Sequence, residues 1–195
     1  MKKVNNLRSI LLSSTFIAAS MVFTLTACND KNKTPDTEKV AEDQNEAKFE
    51  DTQKEDDADF LVEAAAFNME QVEAGKLVQK SANADTKATG KMMEEDHQKA
   101  WKELEALAAK KQITLPAGLT DDSKKDFEDL NKKTGADFDR AYASWLVSSH
   151  KDAISKYEDA AKNSKDSEVV AWANAQLDVL KAHLAKAEAW KDKIK

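Results

Sequence analysis

The chain contains three histidines, and each falls on the apolar stripe of a different amphipathic stretch. His97 belongs to Met93-His97-Ala100-Leu104-Leu107, His150 to Leu146-His150-Ala153-Tyr157-Ala160, and His183 to Leu180-His183-Ala187-Trp190. Glu70 occupies the same kind of position on Phe67-Glu70-Ala74-Leu77. Steps of three and four keep residues on one helical face, so all four polar groups point toward one interior. Unpaired there, they are costly, and a transition-metal ion satisfies them. Iron, zinc, copper and manganese each accept imidazole and carboxylate. The expected site is therefore one metal ion held by Glu70, His97, His150 and His183.

Glu94 precedes His97 by three residues, which is half of the motif that builds carboxylate-bridged dinuclear sites in bundles. Val147 and Leu180 stand where the other histidines would need a partner glutamate, so a mononuclear centre fits better. Met92 and Met93 read as helix packing rather than as thioether ligands. Asp96, Glu73 and Asp139 read as solvated. Ser148 and Ser149 precede His150 without the strained turn that a serine nucleophile needs. The competing reading of the histidines is structural: each one a core residue bonded to a carbonyl or to Tyr142, Tyr157, Asn68, Gln71 or Gln176. Both readings stand at this level.

The elements that must position these groups are helical. Gly and Pro are few, at 4 and 2, and 34% of residues are charged, a composition that favours an all-α fold. Four long amphipathic patterns run over about 58–83, 85–111, 136–163 and 168–194, with Asp85 as the cap of the second and Gly90 as a weak spot within it. Between the second and third lies a longer link, broken at Ile113-Thr114-Leu115-Pro116 and carrying a short helix capped by Thr120. These patterns make a four-helix bundle with a short extra helix between helices 2 and 3. The direction of the third long helix is open. Every candidate ligand lies near the midpoint of its helix, so mid-height is kept whichever way the helix runs.

The N-terminus reads as an address. Lys2, Lys3 and Arg8 precede an apolar stretch from Ile10 to Phe23, and residues 1–27 have the form of a secretory signal. Leu25-Thr26-Ala27-Cys28 resembles the lipoprotein box, which implies acylation at Cys28 and a membrane anchor. Residues 28–57 read as the lipidated cysteine and a polar, disordered tether with a reach of roughly 30 Å; residues 58–195 form the bundle. The single cysteine leaves no internal disulfide. Setting Lys2, Lys3 and Arg8 aside leaves 27 basic against 36 acidic residues, a charge near -9; with lysines interleaved among acids and no basic patch, this argues against nucleic acid as a partner.

Phe60-Leu61-Val62-Glu63-Ala64-Ala65-Ala66 with Asn68 and Glu70, Met93-x-x-Asp96-His97, Ile113-Thr114-Leu115-Pro116, Gly135 to Tyr142, His150-Lys151 and His183-Leu184 together resemble the bacterial family called domain of unknown function 4142, whose members are often labelled outer-membrane proteins. The resemblance implies a ferritin-like bundle in the cell envelope, facing the periplasm from the outer membrane, and implies no activity. Ser149 departs from the acidic residue expected before His150. Two functions follow as expectations. One is a lipid-anchored protein binding one metal ion for storage, buffering or redox protection, with no turnover assigned. The other is a non-enzymatic interaction module whose core histidines bind no metal.

Overall fold

The computed structural model describes residues 34–50 and 52–194; the signal segment and Cys28 lie outside the described residues. Every long element among the described residues is an α-helix: α1 Thr37–Phe49, α2 Gln53–Leu77, α3 Ala84–Lys111, α4 Asp121–Asn131, α5 Gly135–Asn163 and α6 Ser167–Lys193. Four of these six starts, those of α1, α3, α4 and α6, carry a side-chain cap. The Asn83 side chain accepts from the Asp85 and Thr86 amides, so it, and not Asp85, caps α3. Thr120 caps α4 through the Ser123 amide, and Asp166 caps α6 through the Glu168 and Val169 amides. Gln112, in the left-handed region at φ 63°, ends α3.

Cross-helix pairs fix the directions. Lys156–Glu63 at 2.7 Å and Gln71–Ser149 at 3.2 Å match rising positions on α2 with falling ones on α5. Gln176–Glu103 at 3.1 Å and His183–Asp96 at 2.9 Å do the same for α3 and α6. Lys181–Glu158 and Lys151–Glu188, both at 2.7 Å, do so for α5 and α6. The bundle is thus antiparallel between all neighbours, while α3 and α5 run the same way. The link carrying α4 must traverse the bundle's length, the one-crossover connectivity of ferritin-like folds.

Two apolar layers fill the interior. One contains Phe60, Leu61, Leu104, Tyr157, Val169 and Leu180; the other contains Val78, Met93, Phe138, Leu146, Ala187 and Trp190. On each of α3, α5 and α6 the histidine lies between the residues given to the two layers. Gly90 is a close-packing position rather than a weak spot. A Cβ there would meet Val78 Cγ2 at 1.9 Å, and one on Gly75 would meet the Gly90 carbonyl oxygen at 2.5 Å. The α2–α3 approach below the histidine level depends on both hydrogens. Asp139 is also buried rather than solvated: it accepts a 2.7 Å bond from Ser81 Oγ, tying the α2–α3 turn to the start of α5.

The expected tether is ordered over much of its length. Residues 37–49 form α1, and α2 begins at Gln53, before Ala58. The composition of α1 offers little to bury: Ala41 and Asn45 alone are fully inside. What holds it is hydrogen bonding to the irregular link. Asn45 Nδ2 donates to the Thr114 carbonyl and Asn45 Oδ1 accepts from the Thr114 amide, both at 2.8 Å. Thr37 Oγ1 donates to the Gly118 carbonyl at 2.9 Å. Asp36 caps α1 through the Glu38 amide at 2.9 Å and accepts from the Asp121 amide at the start of α4 at 2.5 Å. Helix α1 thus supplies partners to link backbone that has none of its own. Asn45→Ala is expected to lower stability by about 1–3 kcal/mol and to speed hydrogen exchange at the Thr114 amide. Protection equal to that of the parent chain would refute this account of the strap.

Candidate metal centre

The three histidine rings meet at mid-height. Ring centres lie 5.5 Å apart for His97 and His150, 5.3 Å for His97 and His183, and 5.5 Å for His150 and His183. One ligand atom from each lies within 4.8 Å of the other two. All three residues are buried.

Each ring is held by one nitrogen, and the holder differs. His97 Nδ1 bonds to Asn68 Oδ1 at 2.9 Å, and Asn68 is itself oriented by donating Nδ2 to the Ala64 carbonyl at 2.8 Å. His150 Nδ1 donates to the Leu146 carbonyl one turn back at 3.0 Å. His183 Nε2 bonds to the Asp96 carboxylate at 2.9 Å. The Asn68 oxygen, the carbonyl and the carboxylate are acceptors, so each holding nitrogen carries the proton. The other nitrogens, His97 Nε2, His150 Nε2 and His183 Nδ1, are buried with no hydrogen-bond partner. Those are lone pairs, and each orphaned acceptor costs on the order of 1–3 kcal/mol.

Electrostatics keep the rings neutral. Burial drives His97 well below its ordinary value, helped by His150 and His183. Burial takes His150 down to about 3, with His183 adding and the Leu146 carbonyl opposing. His183 is lowered by burial against the opposing pull of Asp96. Neutral imidazole is the form that binds a metal ion, and a protonated partner nitrogen held by a carboxylate or carbonyl is the usual outer support of such a ligand.

Glu70 does not join them. Its carboxylate accepts a 2.9 Å bond from Ser123 Oγ of α4 and lines a cleft between α2, α4 and α5. The three-four stripe covers a broad arc, and Glu70 lies at its edge while Asn68 and Gln71 are fully buried. Burial raises the Glu70 carboxyl to about 7, with the Ser123 hydroxyl opposing. Glu94 accepts from Gln98 at 3.2 Å along its own helix, leaving its half-motif unused. Met93 packs in the core, and Met92 Sδ meets Lys186 Nζ at 3.0 Å. Gln71 donates to Ser149 at 3.2 Å, at the position where an acid was expected. Asp96 is half exposed yet bonded to His183, a role hidden in the sequence because it is made across helices.

A crossover bundle with three inward imidazoles at one level defines a ferritin-like helical protein with a candidate mononuclear centre. Residues 41–190 match the family model described as a domain of unknown function (DUF4142), and the chain belongs to that family. No curated protein and no solved structure matches it.

Two opposite pH slopes follow for the metal-free protein. His97 and His150 stay neutral when folded but take protons near pH 6.5 when unfolded, so stability falls as pH drops below that value. Glu70 keeps its proton to about 7 when folded and loses it near 4.5 when unfolded, so stability falls as pH rises across that window, by up to about 3 kcal/mol. Urea melts from pH 4.5 to 8 are expected to lose the second slope in Glu70→Gln and to shallow the first in His150→Gln. A parental profile in both variants would contradict these assignments.

Proposed function

We propose that this protein is an envelope-anchored metal-binding protein that holds one first-row transition-metal ion on His97, His150 and His183. The observation that carries this is the pairing pattern of three adjacent rings: one nitrogen of each is fixed by a built acceptor, the other is buried and unpartnered, and one ligand nitrogen from each ring lies within 4.8 Å of the others. A histidine kept only as a core lock gains nothing from three such orphans at one place. An ion removes all three costs at once.

With Glu70 engaged elsewhere, the donor set is all nitrogen. Imidazole suits zinc, copper and iron, whereas manganese favours oxygen. Three protein ligands leave a fourth position for water. One ion per chain suits buffering or protection better than bulk storage. Equilibrium dialysis with Zn²⁺ is expected to give one ion per chain, and none at that affinity in His97→Ala/His150→Ala/His183→Ala. Saturating metal at a thousandfold above Kd is expected to add about 4 kcal/mol of stability, reversed by chelator. Equal uptake by both proteins, or a melt indifferent to metal, would remove the site and favour the core-lock reading.

The anchor rests on the Leu25-Thr26-Ala27-Cys28 box. An outer-membrane anchor there would leave the acidic chain facing the periplasm. Cys28→Ser is expected to abolish incorporation of labelled fatty acid and to move the protein from the membrane to the soluble fraction. Retention of label in the variant would disprove lipidation at this residue.

A further inference from the structure

The metal reading raises the question of how an ion reaches a triad sealed between two apolar layers. The cleft between α2, α4 and α5 has a volume of about 280 Å³. Six carboxylates line it, those of Glu38, Glu63, Glu70, Asp122, Asp126 and Asp152, against one base, Lys156. Lys156 is already bonded to Glu63 at 2.7 Å. Such a recess concentrates cations. Phe67 also lines this cleft, and its ring makes edge contacts with His97 at 5.1 Å and His150 at 5.4 Å. The same side chain therefore borders the acidic recess on one side and two of the three histidines on the other. His97 Nε2 and His150 Nε2, buried and unpartnered, belong to those two rings.

We propose that divalent cations load the triad from this cleft, with the Phe67 ring as the gate. The proposal rests on the metal reading above and adds its route. The opposite side of the triad, between α3 and α6, is closed by the His183 ring itself, held to half-exposed Asp96. Entry there breaks the His183–Asp96 bond and turns a ligand away from the site. Rotation of Phe67 leaves all three ring-holding hydrogen bonds intact. An aromatic side chain half-buried at the cleft wall can turn without opening the backbone of either layer. Glu70 then has a function as a carboxylate outside the ligand set: it lies one turn from Phe67 on α2 and is oriented by Ser123, where an ion waiting at the gate would meet it.

The test is the kinetics of Co²⁺ binding to the full chain, followed by visible absorption in stopped flow at low and high salt. At pH 8, where Glu70 is ionised, Glu70→Gln/Asp126→Asn is expected to slow association several-fold at low salt and to reduce the salt dependence, because exposed-charge steering is screened. Phe67→Ala is expected to raise association and dissociation together, by about tenfold, with Kd nearly unchanged; Phe67→Leu keeps the core filled and should show the same trend more weakly. Glu105→Gln, on α3 and away from the cleft, should load like the parent. Parental rates in the cleft double variant, or in folded Phe67 variants, overturn the route while leaving the site. Absence of histidine-dependent Co²⁺ uptake in the parent overturns the metal reading, and the route with it.

Discussion

An imidazole has two ring nitrogens, and this fold satisfies one of them three times over. Asn68, the Leu146 carbonyl and Asp96 each accept a hydrogen bond from a histidine; the remaining nitrogen of each ring is buried without a partner, and one ligand nitrogen from each of the three lies within 4.8 Å of the others. The rest of the bundle is arranged around that constraint. The two apolar layers lie on either side of it. The antiparallel neighbours bring helix midpoints to one level, and the Gly75–Gly90 contact sets how closely α2, which carries Asn68, lies against α3, which carries His97.

The three supports differ in stiffness. A backbone carbonyl on the same helix cannot move relative to His150. Asn68 is fixed at both ends of its amide, between Ala64 and His97. Asp96 is half exposed, so the His183 support faces solvent on one side. The site is therefore built rigid on two rings and more accessible on the third. Preorganisation of that kind lowers the ordering cost of binding, and burial keeps the rings neutral and ready to donate to an ion.

Charge is partitioned in a way that serves the same centre. No acid joins the triad from α2 or α5: Glu70 is turned to Ser123 and to a cleft, and buried Asp139 is satisfied by Ser81. The acidic cleft and the neutral triad are thus adjacent but chemically distinct, one attracting cations through space and the other supplying lone pairs. Helix α1, polar on most of its surface, is retained because the crossover link needs hydrogen-bond partners, and Asp36 and Asn45 give them.

The sequence alone determined the four long helices, their apolar stripes and the common level of His97, His150 and His183. Those are consequences of the 3.6-residue period, which fixes the face and height of a residue on its own helix. Its family resemblance was carried by the same positions. Periodicity also assigned Glu70 to the ligand set, wrongly, because a stripe more than 100° wide does not say which edge meets the core and which meets a neighbouring short helix. Composition assigned residues 29–57 to a tether, wrongly over Thr37–Phe49, because an amphipathic face is one way to order a helix and hydrogen bonding to a distant loop is another. The direction of α5, the pairing of His183 with Asp96, and which nitrogen of each ring is left free were decided by tertiary structure alone. Each depends on contacts between segments far apart in the chain, and no local spacing encodes them.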